Sequence, residues 1–390
     1  MVKRSFEDII DKAKKVKGIF LVGAGVSGKE LLGFIQQEST VDIIGFFDNN
    51  KLLQGKFYNG VEITSPYNKG NEYLYIITVD NGKLRKELYK QLENIGVNSE
   101  CILTYFRTKD YEYKSTLDKK FYEEEISEQY EAVFGKKMNW NNPTTYTEII
   151  NWEKLNLRDK RRTRLADKYL VREWVKEKIG EEHLTTLYGV WDNVEEINFD
   201  NLPNSFVLKP NHRSGRNIIV KDKSKINIDE VCKKLKVELS INHAYISYEL
   251  HYRDIKPKII CEEYLEGVAE SLYDYNIYCF HGEPEYIWCI KGSHRPGCQA
   301  SFYNKNWEIQ PFSLGYPKDP ILAPRPERLE EMLELSRKLS GDFEHVRVDW
   351  YSLPDGRLLF GEMTFSTWAG IEKFEPEEYD LIFGNMIKNK

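Results

Sequence analysis

Four residues near the C-terminus have the types and spacing for phosphoryl chemistry. The stretch VRVDWYSLPDGRLLFGEMTF, 346 to 365, carries Arg347 and Asp349 before a Pro-Asp-Gly turn and Glu362 and Thr364 after it. Both flanks alternate apolar and polar residues, the pattern of two half-buried strands in a hairpin. Residues two apart on a strand share a face. Pairing therefore brings Asp349 and Glu362 together, with Arg347 beside them. Two hard carboxylates suit Mg²⁺, and a guanidinium suits the charge of a moving phosphoryl group. The same residues would equally make a surface hairpin with a cross-strand ion pair, and the hairpin alone does not choose.

Two upstream segments favour the phosphate reading. FVLKPNHRSGRNIIVK, 206 to 221, is an apolar strand ending in Lys209, a polar loop and a second apolar strand. A lysine beside such a loop offers phosphate a point charge, and the loop, with His212, Ser214 and Gly215, offers backbone N–H groups. KIICEEYLEG, 258 to 267, is a buried strand that runs into Glu262 and Glu263. Such a strand end can meet an adenine edge with its backbone and a ribose hydroxyl with a carboxylate. Lysine strand and loop, then the paired glutamates, then the acidic hairpin: this order resembles an ATP-grasp fold, in which ATP lies between two α+β lobes.

From about Asn142 to its end the chain resembles the teichuronopeptide-biosynthesis (TupA-like) type of ATP-grasp protein. The matching stretches are NPTTYTEIINWEKLNLRD, LADKYLVREWVKEKIGEEHL, LPNSFVLKPNHRSG, KIICEEYLEG, DYNIYCFHGEPEYI, VRVDWYSLPDGRLLFGEMTF and GIEKFEPEEYD, in family order over roughly 240 residues. The resemblance implies ATP and Mg²⁺ as cofactors. It also implies ATP-dependent joining of a carboxylate to an amine in cell-surface polysaccharide synthesis. It places Glu262, Glu263 and the backbone of Leu265 at the adenine hinge, and Lys168 and Arg172 in the family's DKYxVR element. Spaced four apart, those two cations would share a helix face; a substrate or phosphate role competes there with an ion pair to Asp167 or Glu173. Asp274 would orient a lysine or the ribose, and Lys291 and Arg295, after the strand YIWCI, would meet the carboxylate substrate. Thr364 stands where many ATP-grasp enzymes carry Asn. Its hydroxyl would hold a metal-bound water or a phosphate, completing a metal set with Asp349 and Glu362. Where the family has glycines in the phosphate loop, this chain has Arg213 and Arg216, which stiffen the loop and add two phosphate-seeking charges. His212 would donate to phosphate or cap the turn.

The expected reaction is acyl-phosphate chemistry. Lys209 and the 212 to 216 loop would hold the phosphates. Arg347 would stabilise the transferring group and then the tetrahedral oxyanion. No residue stands out as a base for the amine. The same ATP site would also serve a kinase acting on a sugar or polysaccharide precursor. A non-catalytic nucleotide-sugar-binding protein is a third class, opposed by the joint presence of Lys209, Arg347, Asp349 and Glu362.

The first hundred residues read as a separate unit. GIFLVGAGVSGKELLGFIQQ is a strand, a glycine turn and an amphipathic helix in which Gly23, Gly25 and Gly28 satisfy GxGxxG. The next strand, VDIIGFFDNN, ends at Asp48, at the spacing of a ribose-binding carboxylate. YLYIITV, the helix GKLRKELYKQLENIG and CILTYF complete a β-α-β-β-α-β unit. A dinucleotide usually needs two such halves, and only one is present. The pattern GFFDNN…GKFYNGVEI resembles the small domain that precedes PglD-like sugar acetyltransferases. That resemblance implies a UDP-sugar, with the glycines at its diphosphate and Asp48 near base or ribose. A scaffold whose glycines serve only tight packing, and an NAD or coenzyme A site, are the competing readings.

The fold class expected is therefore mixed α/β and α+β: a Rossmann-like parallel sheet over 1–105, a helical connector over 106–165 and an ATP-grasp domain over 166–390. The connector includes the basic run RDKRRTRLADK, either a solvated helix face or a surface for an anionic acceptor. The chain of 390 residues is 41% hydrophobic and 30% charged, enough for large cores and unlike a disordered protein. A net charge of −6 argues against nucleic acid as a partner. No apolar run approaches a bilayer span, and the basic N-terminus lacks the core of a signal peptide. The six cysteines show no metal spacing and read as buried free thiols. The expected partners are a small-molecule or sugar-linked carboxylate, an amine and a nucleotide sugar, met in the cytoplasm.

Overall fold

The structure, a computed structural model, describes residues 3–389 other than 5, 39, 80–81, 106–118, 157–158, 266–272 and 293–297. The chain divides into two compact units, Met1–Lys136 and Lys137–Lys390. The segment read as a connector is shared between them. Its helix Lys119–Phe134 belongs to the first, and its helix Tyr146–Leu155 to the second.

The first unit is built on seven strands: β1 (Lys3–Arg4), β2 (Ile19–Val22), β3 (Ile43–Phe47), β4 (Phe57–Tyr58), β5 (Val61–Thr64), β6 (Leu74–Ile77) and β7 (Ile102–Tyr105). They lie in the order β1-β7-β6-β2-β3-β5-β4, and only the β4–β5 pair is antiparallel. β2 and β6 are buried along their whole length, as strands covered on both faces are. The β4–β5 hairpin, absent from the sequence reading, turns through Asn59 and Gly60 at φ 46° and 80°, the Asn-Gly pairing that tight hairpins favour.

The second unit holds two larger antiparallel sheets. One is β8 (Leu187–Trp191), β9 (Phe206–Pro210), β10 (Ile218–Val220) and β11 (Ile259–Glu263), in the order β10-β9-β11-β8. The other contains β12 (Tyr273–Phe280), β13 (Glu283–Lys291), β14 (Gln299–Asn304), β16 (His345–Ser352) and β17 (Leu358–Thr364), in the order β14-β13-β12-β16-β17. A short pair, β15 (Ser313–Leu314) with β18 (Phe374–Glu375), stands apart.

Period-two alternation sets the faces of the five-stranded sheet. Tyr275, Ile277 and Cys279 of β12 and Val346, Val348 and Trp350 of β16 join one core with Leu329, Met332 and Leu339 of the helix Leu329–Ser340. Trp350 also donates its indole N–H to Ser336 Oγ at 2.8 Å. The alternate residues, Asp274, Asn276, Arg347 and Asp349, are left for the opposite face. On the four-stranded sheet, Val231 and Leu235 of the helix Ile228–Leu239 cover Phe206, Leu208, Ile259 and Cys261.

The helix Tyr146–Leu155 starts from a capping box made by Thr145 and Glu148. The six cysteines are free. Among the described residues no helix is long and apolar enough to cross a membrane.

The basic run is committed to structure. Arg161 pairs with Asp159 and Asp342, and Arg164 with Glu173. Arg162 forks onto Glu153, Nη1 to Oε2 at 2.7 Å and Nη2 to Oε1 at 3.2 Å. His345 Nε2 lies 2.7 Å from the same Oε2, and Glu153, Arg162 and His345 are all buried. Burial opposes ionisation of Glu153, but His345 and Arg162 outweigh it and hold the carboxyl far below its usual range. A depressed carboxyl pKa stabilises the fold fully above the unfolded value and is lost as pH falls toward the folded one. Glu153→Gln leaves Arg162 without its counter-charge and is expected to cost about 3–5 kcal/mol at pH 7. The difference from wild type should shrink as both are acidified. Urea unfolding at pH 7 and pH 4 measures this; equal midpoints at pH 7 would contradict it.

Candidate active site

Strand register builds the floor of the site. Trp288, Asn276 and Asp349 are direct partners across β13, β12 and β16, and Tyr278, Arg347 and Thr364 form the next row. The β16–β17 register shifts between Val348 and Trp350, a bulge that re-aims Asp349. Gly361 lies against it: a Cβ there would stand 3.1 Å from the Asp349 carbonyl oxygen and 3.4 Å from its Cβ.

Arg347 sits among the acids. Its Nε and Nη2 fork onto Asp349 at 2.7 and 2.6 Å, and Nη2 also reaches Thr364 Oγ1 at 3.0 Å and Glu362 Oε1 at 3.4 Å. Thr364 Oγ1 donates to Glu362 Oε1 at 2.8 Å, and Lys168 Nζ donates to Glu362 Oε2 at 3.0 Å. The two carboxyls are driven apart. Burial pushes Asp349 up to about 6 against the pull of Arg347, while the Lys168 ammonium brings Glu362 down to about 2. Burial alone would lower the Arg347 pKa, but the carboxylates beside it raise it, so it stays charged.

The opposite wall comes from the four-stranded sheet. Lys209 on β9 donates to Glu262 Oε2 on β11 at 2.7 Å, and Arg172 donates to Glu262 Oε1 at 2.9 Å. Burial opposes ionisation of Glu262, but these cations lower its pKa nonetheless. Between wall and floor lies a cavity of about 460 Å³. Lys168, Lys209, Ser214, Gly215, Glu262, Asp274, Arg347, Asp349, Glu362 and Thr364 all line it. A larger cleft, about 680 Å³ beside Trp152, His281 and Asp342, contains none of them.

Several expected residues stand elsewhere. His212 is buried, with Nε2 2.9 Å from the Ile241 carbonyl oxygen and Nδ1 3.2 Å from Asn211 Oδ1. Burial lowers its pKa to about 4, so the ring is a neutral internal brace and not a phosphate donor. Arg213 is buried against Glu238 at 2.8 Å, so it is not offered to phosphate as its sequence suggests. Lys168 and Arg172 do not share a helix face. Asp167 accepts from the N–H groups of Tyr169 and Leu170, breaking the helix between Arg161–Ala166 and Val171–Ile179. Neither cation pairs with Asp167 or Glu173 as the alternative had it; they reach Glu362 and Glu262. Glu263 pairs with Arg357 at 3.0 Å, Leu265 is half-buried, and Lys291 lies over the Tyr273 ring, all outside the cavity lining. Arg295 lies outside the described residues.

In the first unit the glycine turn is tightly packed. A Cβ on Gly28 would stand 2.1 Å from the Gly23 carbonyl oxygen, whereas one on Gly25 would meet nothing within 4 Å. Asp48 accepts from Ala24 N–H at 2.8 Å and from Asn50 N–H at 2.8 Å. It therefore braces the turn.

Sequence reading missed one end of the cavity. Trp288, Tyr316 and Trp368 line it, Trp288 stacked on Tyr316 at 5.7 Å and Tyr316 edge-on to Trp368 at 5.2 Å. Trp368 and Ala369 both hold left-handed backbone, φ 51°, and Asn151 Nδ2 donates to the next carbonyl, that of Gly370, at 2.7 Å. Glu249 and Ser366 also line this end.

A lysine-bearing sheet facing an acidic hairpin sheet across one cavity is the arrangement of an ATP-grasp enzyme. Residues 148–388 match the TupA-like ATP-grasp family model, and the chain belongs to that family. Residues 18–92 match the PglD N-terminal domain. No curated protein sequence matches the chain. Among solved structures it is similar to D-alanine–D-alanine ligase from Bacillus anthracis complexed with ATP, at 13% identity over 89% of this chain and 84% of that one, TM-score 0.32. It is similar to L-amino acid ligase from Bacillus licheniformis at 14% identity over 96% and 76%, TM-score 0.33. It is also similar to N5-carboxyaminoimidazole synthase from Aspergillus clavatus at 10% over 90% and 70%, TM-score 0.30. Likenesses this loose carry no argument about its chemistry.

ATP and Mg²⁺ are the cofactors of this family, and the donor set fits them. Among the described residues no group of three or more His, Cys, Asp or Glu could hold a metal unaided. Mg²⁺ takes one or two carboxylates and completes its shell with phosphate and water, which is what Asp349 and Glu362 can offer. Gly361→Ala presses on Asp349 and is expected to raise the Mg²⁺ concentration for half-maximal ATP turnover at least fivefold, with a stability loss of about 1–3 kcal/mol. Mg²⁺ titration of turnover checks it; an unchanged midpoint would free Asp349 from the metal.

Proposed function

We propose that the chain is an ATP-dependent carboxylate–amine ligase. It joins an amine to a uronic acid or similar sugar-linked carboxylate through an acyl phosphate, in cytoplasmic steps of capsule or cell-wall polysaccharide synthesis. The observation that carries the reading is the Arg347 fork over Asp349 and Glu362, facing Lys209 across one cavity. Mg²⁺-ATP, when bound, supplies the phosphoryl group that activates the carboxylate. Asp349, Glu362 and the Thr364 hydroxyl would hold the metal, and Lys209 with the Ser214–Gly215 turn would hold phosphate. Arg347, fixed by its own ion pairs, would meet the charge that develops on the carboxylate oxygen. Trp288, Tyr316 and Trp368 give the cavity an aromatic wall suited to the face of a sugar ring, with Asn276 on the floor next to Trp288.

The test is incubation of the full chain with ATP, Mg²⁺, a panel of uronic acids and UDP-uronates, and amines. ADP, free phosphate and an amide mass support the ligase; ADP with a phosphorylated acceptor makes it a kinase. Glu362→Gln should remove turnover and leave the fold intact, a loss on the order of 3 kcal/mol of transition-state stabilisation. A variant retaining more than about a tenth of the wild-type rate, well above what that loss allows, means the metal site is misassigned.

For the first unit the proposed ligand is a UDP-sugar. The Gly23–Gly28 turn would meet its diphosphate through backbone N–H groups at the start of the helix Val26–Glu38. The match to the PglD N-terminal domain and the open space at Gly25 support this. Isothermal titration of the full chain with UDP-sugars, NAD and coenzyme A decides it. Lys209→Met is expected to weaken ATP binding at least tenfold and leave UDP-sugar binding unchanged. Tight NAD binding, or silence toward every UDP-sugar, would sink the proposal.

A further inference from the structure

Past Thr364 the chain brings Ser366 to the cavity wall, where its hydroxyl donates to Oε1 of Glu249. Glu249 is only 6% exposed, and its second oxygen accepts from Ser247 Oγ. His243 Nε2 lies 3.7 Å from it, and His243 Nδ1 is buried with no hydrogen-bond partner among the described residues. Burial first, and then Arg213 and other nearby positive groups, hold that imidazole pKa well below its ordinary value, so the ring supplies no charge at neutral pH. Burial brings the Lys154 pKa down to about 8 and the Glu249 carboxylate partly offsets that, but the ammonium is not ion-paired with Glu249: it donates to Asn151 Oδ1 at 2.9 Å.

Glu249 therefore differs from its neighbours in the cavity. Asp349 is held by Arg347, Glu362 by Lys168, and Glu262 by Lys209 and Arg172. Among the described residues Glu249 has no Lys or Arg at ion-pair distance. A buried carboxylate without a cation is costly, and the cost is relieved by whatever cation binds there. Its place just past the end of β17 fits a substrate. Glu362, Thr364 and Ser366 succeed one another, so the order is metal carboxylate, the hydroxyl beside Arg347, then Glu249.

We propose that Glu249 is the acceptor site, binding a primary ammonium and taking the proton whose loss frees the nitrogen lone pair for attack. This rests on the ligase reading above and names its second substrate class. The amine nitrogen bonds to the acyl carbon, and the bond from that carbon to the phosphate oxygen breaks, with its electron pair leaving on phosphate. Of the two protons the ammonium must lose, one passes to Glu249 and on to solvent, and the other leaves with the phosphate.

The test begins without the unknown carboxylate. Full-length wild type and Glu249→Gln are melted with 50 mM ethylammonium chloride, with tetramethylammonium chloride at equal ionic strength, and with ethylene glycol. Wild type is expected to rise by about 1–2 °C with ethylammonium alone. Glu249→Gln, which keeps hydrogen bonds to both serines, should melt no lower than wild type unliganded and show no rise. An unmoved wild type, or an equal rise in the variant, overturns the proposal. A rise with ethylene glycol instead overturns it in favour of a hydroxyl acceptor.

Should the Gln variant fail to fold, Ser366→Ala serves. It frees one carboxylate oxygen and should enlarge the ethylammonium shift; an unchanged or smaller shift overturns the proposal. None of these outcomes touches ATP, so carboxylate activation stands or falls separately, on the panel assay. In that assay, hydroxylamine, which needs neither an ammonium site nor a strong base, should still trap the acyl phosphate in Glu249→Gln within about twofold of wild type, while amide formation drops about 100-fold or more. Parallel loss of both products overturns the assignment.

Discussion

A single guanidinium holds the acidic floor together. Arg347 is buried between Asp349 and Glu362, and neither carboxylate could stand so close to the other without it. Such clusters are poor sources of stability, because desolvation of each charge consumes most of the attraction between them. Their value is in placement. A rigid five-stranded sheet fixes where each charge sits before any ligand arrives, so little reorganisation is left for the moment of reaction. The neighbours then separate the two acids. Lys168 touches Glu362 and keeps it ionised, while Asp349, more deeply sheltered, is pushed toward neutrality. One acid is a permanent anion and the other awaits a stronger cation than Arg347 alone supplies.

The same interaction ties the two sheets together. Lys168 and Arg172 flank one break in the helical run, made by the Asp167 carboxylate. Because of that break one cation reaches the five-stranded floor and the other the four-stranded wall, where Arg172 and Lys209 share Glu262. A short turn thus reports the position of each wall to the other. Among the described residues both lysines that line the cavity, Lys168 and Lys209, have a carboxylate to answer them. On the proposed reading, an incoming polyanion with its metal would exchange partners within this set, the phosphate with the lysines and the metal with the acids.

The fold and the acidic floor were legible because both rest on local periodicity. Alternation in β12 and β16 decided which side chains face the cavity, and the Pro-Asp-Gly turn joined the hairpin that carries Arg347, Asp349, Glu362 and Thr364. What escaped reading depended on contacts between distant segments. His212 and Arg213 look like loop residues until the Ile241 carbonyl and Glu238 enclose them. Within the basic run Arg162 is buried and claimed by Glu153, while Arg161 and Arg164 stay on the solvated face the sequence suggests. Glu249 carries no local mark at all; it becomes notable only when Ser366, 117 residues later, meets it and no arginine or lysine does. The glycine turn of the first unit was read correctly as a turn, but its spacing serves two ends at once. Gly28 is required by the close approach of helix to strand, and only Gly25 is left open for a ligand.

The cavity is polar in a directed way. Across the floor, from β17 to β13, the lining changes from Glu362 and Asp349 through Asn276 to Trp288. Along β17 and past its end it changes from a carboxylate paired to lysine, through a hydroxyl bound to Arg347, to Ser366 and the Glu249 carboxylate it meets, which has no Lys or Arg at ion-pair distance among the described residues. On the proposed reading, a flat ring with an attached carboxylate would be oriented by the first gradient, ring toward the aromatic wall and charge toward Arg347. A cationic nucleophile would be ordered by the second, since Glu249, which among the described residues has no Lys or Arg at ion-pair distance, lies past the arginine. Crossed gradients of this kind place two unlike substrates against one another with few specific contacts to either, and a scaffold of this kind can change its substrates by altering the ends of the cavity while the Arg347 fork stays as it is.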